Sequence, residues 1–281
     1  MLKKIFNAVI RRFKFKWFRI IYSRKYGIPL LDTPIDKNRL VCFSDWIGDI
    51  KSAAIIGKGA SVFESKPLDL IKNCEFTCLM NSVDIDYLEP WIGNKFDAQL
   101  TTHVGRINSI IPVLNKEQIE RTGIKILICN NTIDHNKGIT VKDYWNYFNN
   151  RVQKIGYVPH SSEFNFKVDL SQYGERLSMA SSLLMMLFNV KTLNKIVFVG
   201  VDAFHFGYSY RPGVSETDRH FYPFTEGGYD DPRTSHGLPF LKFLFETINL
   251  INSQRELIVL FPEVLRGHID FPDENYIQFY E

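Results

Sequence analysis

The sequence predicts an α/β domain built on a mostly parallel central sheet flanked by helices, and three observations predict it. Beyond a Pro- and Asp-containing link at 29–38, short β-branched runs alternate with longer stretches of helical period. The short runs are almost continuously apolar, as strands are when helices cover both faces of a parallel sheet. Finally, 281 residues of which 45% are apolar and 14% aromatic are enough to bury one large core. The expected layout is a single Rossmann-like domain at 32–281, preceded by a separate helix at 1–31.

That first helix follows from spacing. Leu2, Ile5, Phe6, Val9, Ile10, Phe13, Trp17, Ile20 and Ile21 recur at steps that place them on one helical stripe, and basic residues fill most of the remainder. An apolar stripe opposite Lys and Arg suits the surface of an anionic membrane leaflet. Charges interrupt the stripe too often for a spanning helix, and no small-residue cleavage site follows it. The expectation is a cytoplasmic protein held on the inner face of the membrane through residues 2–25. Docking of the helix on the body or on a partner subunit is the alternative, and a homo-oligomer stays open.

Strands are expected at 53–56, 76–80, 96–101, 124–129, 195–200 and 256–261, with helices within 61–72, 141–155, 177–193 and 238–253. The stretch 203–235 is rich in aromatic, Gly and charged residues without a clear period, which in a compact domain marks a functional loop or lid. In sheets of this kind ligands bind beyond the carboxyl ends of the strands, so functional residues are expected to follow strands.

Charge narrows the partners. Nine basic residues precede the first acid, Asp32, and the remainder carries 25 basic against 31 acidic residues. A mildly acidic body lacks the basic groove of a nucleic-acid surface. Cys42, Cys74, Cys78 and Cys129 form no C-x-x-C pair and no zinc-type spacing, so reduced thiols are expected rather than a disulfide framework.

The expected strand 53–56 runs straight into Gly57, Lys58, Gly59, Ala60 and Ser61. Glycines at such a place let backbone approach a phosphate, and a following helix N-terminus offers unpaired N–H groups; a tight structural turn uses the same residues. A dinucleotide fold would want a small residue at 62 and an acid about 20 positions on, where Val62 and Asn81 stand instead. No P-loop motif occurs anywhere.

Four stretches in order then resemble the bacterial sialyltransferases of glycosyltransferase family 42. They are Gly57 to Ser61; Cys78, Leu79, Met80, Asn81; Arg176, Leu177, Ser178, Met179, Ala180; and Gly200, Val201, Asp202, Ala203, Phe204, leading into Gly207, Tyr208, Ser209, Tyr210 and then His236. Members of that family transfer sialic acid from CMP-sialic acid with inversion on a GT-A-variant fold. The resemblance implies a donor site at Gly57, Lys58, Gly59, Asn81, Thr102, Arg176, Ser178, Met179, Phe204 and Tyr210. Lys58 stands where the family carries Asn, Phe204 where it carries a phosphate-binding tyrosine, and Thr101 and Thr102 where a second Asn is expected. A related scaffold that transfers Kdo, also from CMP, stays open.

The implied chemistry is plain. CMP leaves with one phosphate, so hydrogen bonds from Tyr208 or Tyr210 and a charge-assisted contact from Lys58 serve it with no obligatory divalent metal and no cofactor. An inverting transfer needs a base for the acceptor hydroxyl, and imidazole suits that task near neutral pH, which the resemblance assigns to His236. Asp202 could orient His236, cap a turn, or act as the nucleophile of a retaining transfer. Asp84 and Asp86 form a D-x-D spacing that binds a metal in other glycosyltransferases, or else the polar start of a helix. The acceptor expected for such an enzyme is a surface glycan or glycolipid, lipopolysaccharide or capsule. A non-catalytic, membrane-peripheral nucleotide-binding module is the reading from another class.

Overall fold

The computed structural model describes residues 40–42, 46–80, 83–101, 116–129, 154–157, 180, 183–184, 187, 189–202 and 238–281. The N-terminal helix expected at 1–31 and the lid expected at 203–235 lie outside the described residues. Among the described residues no helix is long and apolar enough to cross a membrane.

The strands are β1 (Leu40–Cys42), β2 (Ser52–Ile56), β3 (Phe76–Met80), β4 (Ala98–Thr101), β5 (Ile126–Cys129), β6 (Lys154–Tyr157), β7 (Lys195–Val199), β8 (Ile258–Pro262) and β9 (Ile277–Tyr280). Among the described residues they form a nine-stranded sheet in the order β1-β6-β5-β4-β3-β2-β7-β8-β9. Every neighbouring pair runs parallel. This is the α/β architecture that the near-continuous apolar runs predict.

Helices α1 (Leu68–Lys72), α2 (Ile85–Ile92), α3 (Lys116–Thr122) and α4 (Leu238–Asn252) cover the faces, together with a 3₁₀ turn at Ala60–Phe63. Because strand side chains alternate, Ala53 and Ile55 feed one core and Ala54 and Ile56 the other. On the first face Phe76, Cys78, Phe198 and Phe261 pack with Leu183, Leu184, Leu187, Leu244 and Ile248. On the second face Leu79, Val197 and Val199 pack with Val62, Ile71, Leu88 and Ile119. Phe198 stacks on Phe261 with ring centroids 4.9 Å apart, and truncation of so large a buried ring costs about 3–5 kcal/mol.

Tyr280, near the end of β9, donates its hydroxyl to the Phe198 carbonyl at 2.8 Å and so ties the sheet edge to β7. Cys78 is buried, and burial pushes its thiol well above the ordinary range, as expected of an inert core cysteine.

Three expectations need correction. The helix expected within 61–72 is two short pieces, because Pro67 cannot continue a helix from the residues before it and instead opens α1. Lys154 and Ile155, at the end of the stretch 141–155 within which a helix is expected, belong to β6 and pair with Ile126 and Leu127 of β5, while 141–153 lie outside the described residues. Strands β1 and β9, each of three or four residues, escape a search for apolar runs.

Candidate functional site

From β2 to β9 the sheet order contains one reversal of winding, with β1 paired outside β6 at the edge. From β2 the sheet extends through β3, β4, β5 and β6 on one side, while β7, β8 and β9 continue on the other. The carboxyl ends of β2 and β7 therefore flank a topological switch point, the crevice where doubly wound sheets bind ligands. Register makes the two ends level, since Ile56 pairs with Val199. The chain leaves β2 as Gly57, Lys58, Gly59 and leaves β7 as Gly200, Val201, Asp202.

These two segments continue to bond each other beyond the strands. The Gly57 N–H donates to the Val199 carbonyl at 2.7 Å and the Gly59 N–H to the Gly200 carbonyl at 2.7 Å. Gly200 sits at φ +59°, a left-handed conformation that side chains rarely adopt, and a methyl group there would lie 3.0 Å from the Gly59 carbonyl oxygen. Gly59 is required for a different reason. A methyl group at its α-carbon would overlap the Asp202 carboxylate.

Asp202 is 3% exposed, and its carboxylate accepts the Ser61 N–H at 3.0 Å across 141 positions of sequence. Burial raises its pKa to about 6; the Ser61 backbone and hydroxyl, and its own backbone, pull the other way. Ser61 is itself fully buried, and its carbonyl accepts the Ser65 hydroxyl at 3.1 Å. Lys58 is 8% exposed, and burial holds its ammonium pKa well below the ordinary value.

Of the two readings that the sequence leaves open for the glycine turn, these bonds are those of a tight structural turn. The amides of Gly57, Gly59 and Ser61 are committed to Val199, Gly200 and Asp202, so they do not form an open set of donors. The glycines serve close packing of two strand ends, and a 3₁₀ turn, not an α-helix, follows them. Lys58 and Ser61 are the polar side chains of this segment, and both are buried.

Of the residues expected at the site, the structure brings together Gly57, Lys58, Gly59 and Asp202. Asn81, Thr102, Arg176, Ser178, Met179, Phe204, Tyr210 and His236 lie outside the described residues. In sequence, Asn81 directly follows the end of β3 and Thr102 the end of β4. Gly200 is absent from the expected site residues, and its signal in sequence is a glycine between the mostly apolar run 195–199 and an acid.

The D-x-D pair has structural partners. Asp84 caps α2, its carboxylate accepting the Tyr87 N–H at 3.3 Å. Asp86 accepts the Gln118 side-chain amide at 3.0 Å and pairs with Arg121 of α3. Both therefore act at the polar start of a helix. Among the described residues no group of three His, Cys, Asp or Glu side chains is placed to hold a metal ion.

No protein-family model matches the sequence, and no curated protein matches it. Among solved structures the chain is similar to the monofunctional α-2,3-sialyltransferase Cst-I from Campylobacter jejuni, at 14% identity and a TM-score of 0.49, over 75% of this chain and 75% of that one. It is similar to the C. jejuni sialyltransferase CstII in complex with the substrate analogue CMP-3FNeuAc at 14% identity and a TM-score of 0.46, over 75% and 81% of the two chains. A C. jejuni α-2,3-sialyltransferase in apo form gives 12% identity and a TM-score of 0.42, over 81% and 79%.

Proposed function

We propose that this chain is a glycosyltransferase that moves an acidic 2-keto sugar, sialic acid, from a CMP-activated donor to a surface glycan. One observation carries the reading. Two of the four stretches that resemble glycosyltransferase family 42 lie 141 positions apart in sequence yet meet, in register, at the switch point of the sheet. Lys58 stands at the centre of that meeting.

In the proposed reaction the acceptor oxygen bonds to the anomeric carbon as the bond from that carbon to the phosphate oxygen breaks. CMP leaves with the electron pair, and His236 takes the acceptor's proton. Lys58 meets the phosphate, helped by Tyr210 and Arg176, while Asn81, Thr102, Ser178, Met179 and Phe204 complete the donor site. The reaction asks for no divalent metal. Residues 2–25 hold the enzyme against the inner leaflet, where lipid-linked lipopolysaccharide or capsule acceptors are presented.

The test offers CMP-sialic acid and CMP-Kdo separately with a lipooligosaccharide acceptor in EDTA, and follows CMP release. Consumption of CMP-sialic acid, lost in His236→Ala with the fold intact, is the expected result. Consumption of CMP-Kdo alone moves the donor assignment to Kdo. Dependence on added Mn²⁺ overturns the metal-free mechanism, and failure to bind any cytidine nucleotide leaves a non-catalytic module.

A further inference from the structure

Asp202 is the acid at the switch point, and its surroundings decide what it can do. The Ser61 N–H meets one of its oxygens at 3.0 Å, and the space on the Gly59 side is closed so tightly that a methyl group there would overlap both oxygens and the carboxyl carbon. A nucleophilic carboxylate needs an oxygen presented to the anomeric carbon at about 3–3.5 Å, with an open line of approach. This carboxylate is 3% exposed and faces the backbone of the glycine turn. The same turn is fixed twice more from β7, through the Gly57 and Gly59 amides. The negative group at this turn is thus supplied by the protein itself.

We propose that Asp202 is a positioning residue: by accepting the Ser61 N–H and packing against the Gly59 α-carbon, it locks the glycine turn to the end of β7 and forms no bond to the sugar. Lys58, two residues before Ala60 and between the two glycines, is held in place by that lock. Donor binding is what suffers when the lock is released. The kinetic part of this inference rests on the proposed transferase activity; the structural part does not.

The experiment compares Asp202→Asn and Asp202→Ala with the wild-type chain by hydrogen exchange at the Ser61 amide and by donor kinetics. Asparagine keeps a side-chain oxygen able to accept the Ser61 N–H, whereas alanine removes it. The expected result is near-wild-type protection in Asp202→Asn and protection reduced about tenfold or more in Asp202→Ala. Donor KM should rise modestly in the first and about tenfold in the second, with kcat changing less than KM in both. Loss of turnover by about a thousandfold or more in Asp202→Asn with donor affinity retained, or a covalent sugar adduct trapped on Asp202 with a fluorinated donor, overturns the assignment. Unchanged Ser61 protection in Asp202→Ala also overturns it. Should the wild-type chain show no transfer, the activity reading fails and the exchange measurement decides the positioning role alone. Should Asp202→Ala not fold, the protection and KM-to-kcat split of Asp202→Asn decide it.

Discussion

The Asp202 carboxylate rests on the α-carbon of Gly59, in the space that any larger residue at position 59 would need. This makes the two positions mutually dependent. Gly59→Ala alone should destabilise the chain by about 2–4 kcal/mol, since a methyl group forced into a packed site displaces backbone as well as side chain. Adding Asp202→Ala opens the space, and the double variant should be more stable than the sum of the single effects predicts, by about 1–2 kcal/mol. Denaturant unfolding of the four proteins measures this; strict additivity would show that the two residues are not in contact.

Asp202 also sets a pH dependence. Its folded pKa of about 6 lies above the ordinary 3.8, so the folded state holds this proton more tightly. The resulting stabilisation is fully present below pH 3.8 and is lost as pH rises through about 6. The two-unit difference corresponds to about 3 kcal/mol. Asp202→Asn removes the burden of a buried charge and should be the more stable protein at about pH 8, by 1–3 kcal/mol, with the advantage shrinking towards about pH 5. Unfolding midpoints across that range test it, and an advantage independent of pH would contradict it.

Gly200 carries a backbone requirement. At φ +59°, with the Gly59 carbonyl oxygen 3.0 Å from any added methyl group, Gly200→Ala meets both conformational strain and crowding. A loss of about 2–3 kcal/mol is expected, the first 1–2 of it from the left-handed conformation. The same substitution at Gly267, where a methyl group would meet open space, provides the control.

Lys58 links donor binding to proton uptake. Burial favours its neutral form, and a phosphate beside it would favour the ammonium. Titration of CMP into the protein at a pH above the folded pKa of Lys58 should therefore draw a proton from the buffer. Calorimetry in two buffers of different ionisation enthalpy reads this directly. The buffer dependence should vanish in Lys58→Met, along with about tenfold or more of the affinity. Equal heats in the two buffers for the wild-type chain would separate Lys58 from the phosphate.

Membrane association through residues 2–25 is tested with vesicles. The chain should sediment with vesicles containing anionic phospholipid and not with neutral ones, and binding should weaken with salt. Removal of residues 2–25 should abolish it. Retention of binding without them would put the contact on the body of the protein.

The interior of the sheet was legible in the sequence because β2, β3 and β7 are buried on both faces and read as nearly continuous apolar runs. The outer strand β9 was not, since Ile277, Gln278, Phe279 and Tyr280 give too short an alternation to stand out. The break between Phe63 and α1 was signalled by Pro67, which the helical period of the surrounding residues outweighed. At the site, the glycine turn and Asp202 could each be found from local sequence. What they do to each other could not. Whether Ser61 offers its amide to a ligand or to the protein depends on which chain segment lies opposite, and that is settled only when β7 takes its place beside β2.

The bond between Ser61 and Asp202 also says something about when the site comes into being. A contact that spans 141 positions closes a long loop, and such contacts are slow to form and costly in chain entropy until the strands between them are ordered. The floor of the crevice is therefore expected to form late in folding. During synthesis, the glycine turn leaves the ribosome well before the acid that will fill it, and the chain can offer no finished crevice until β7 has been made.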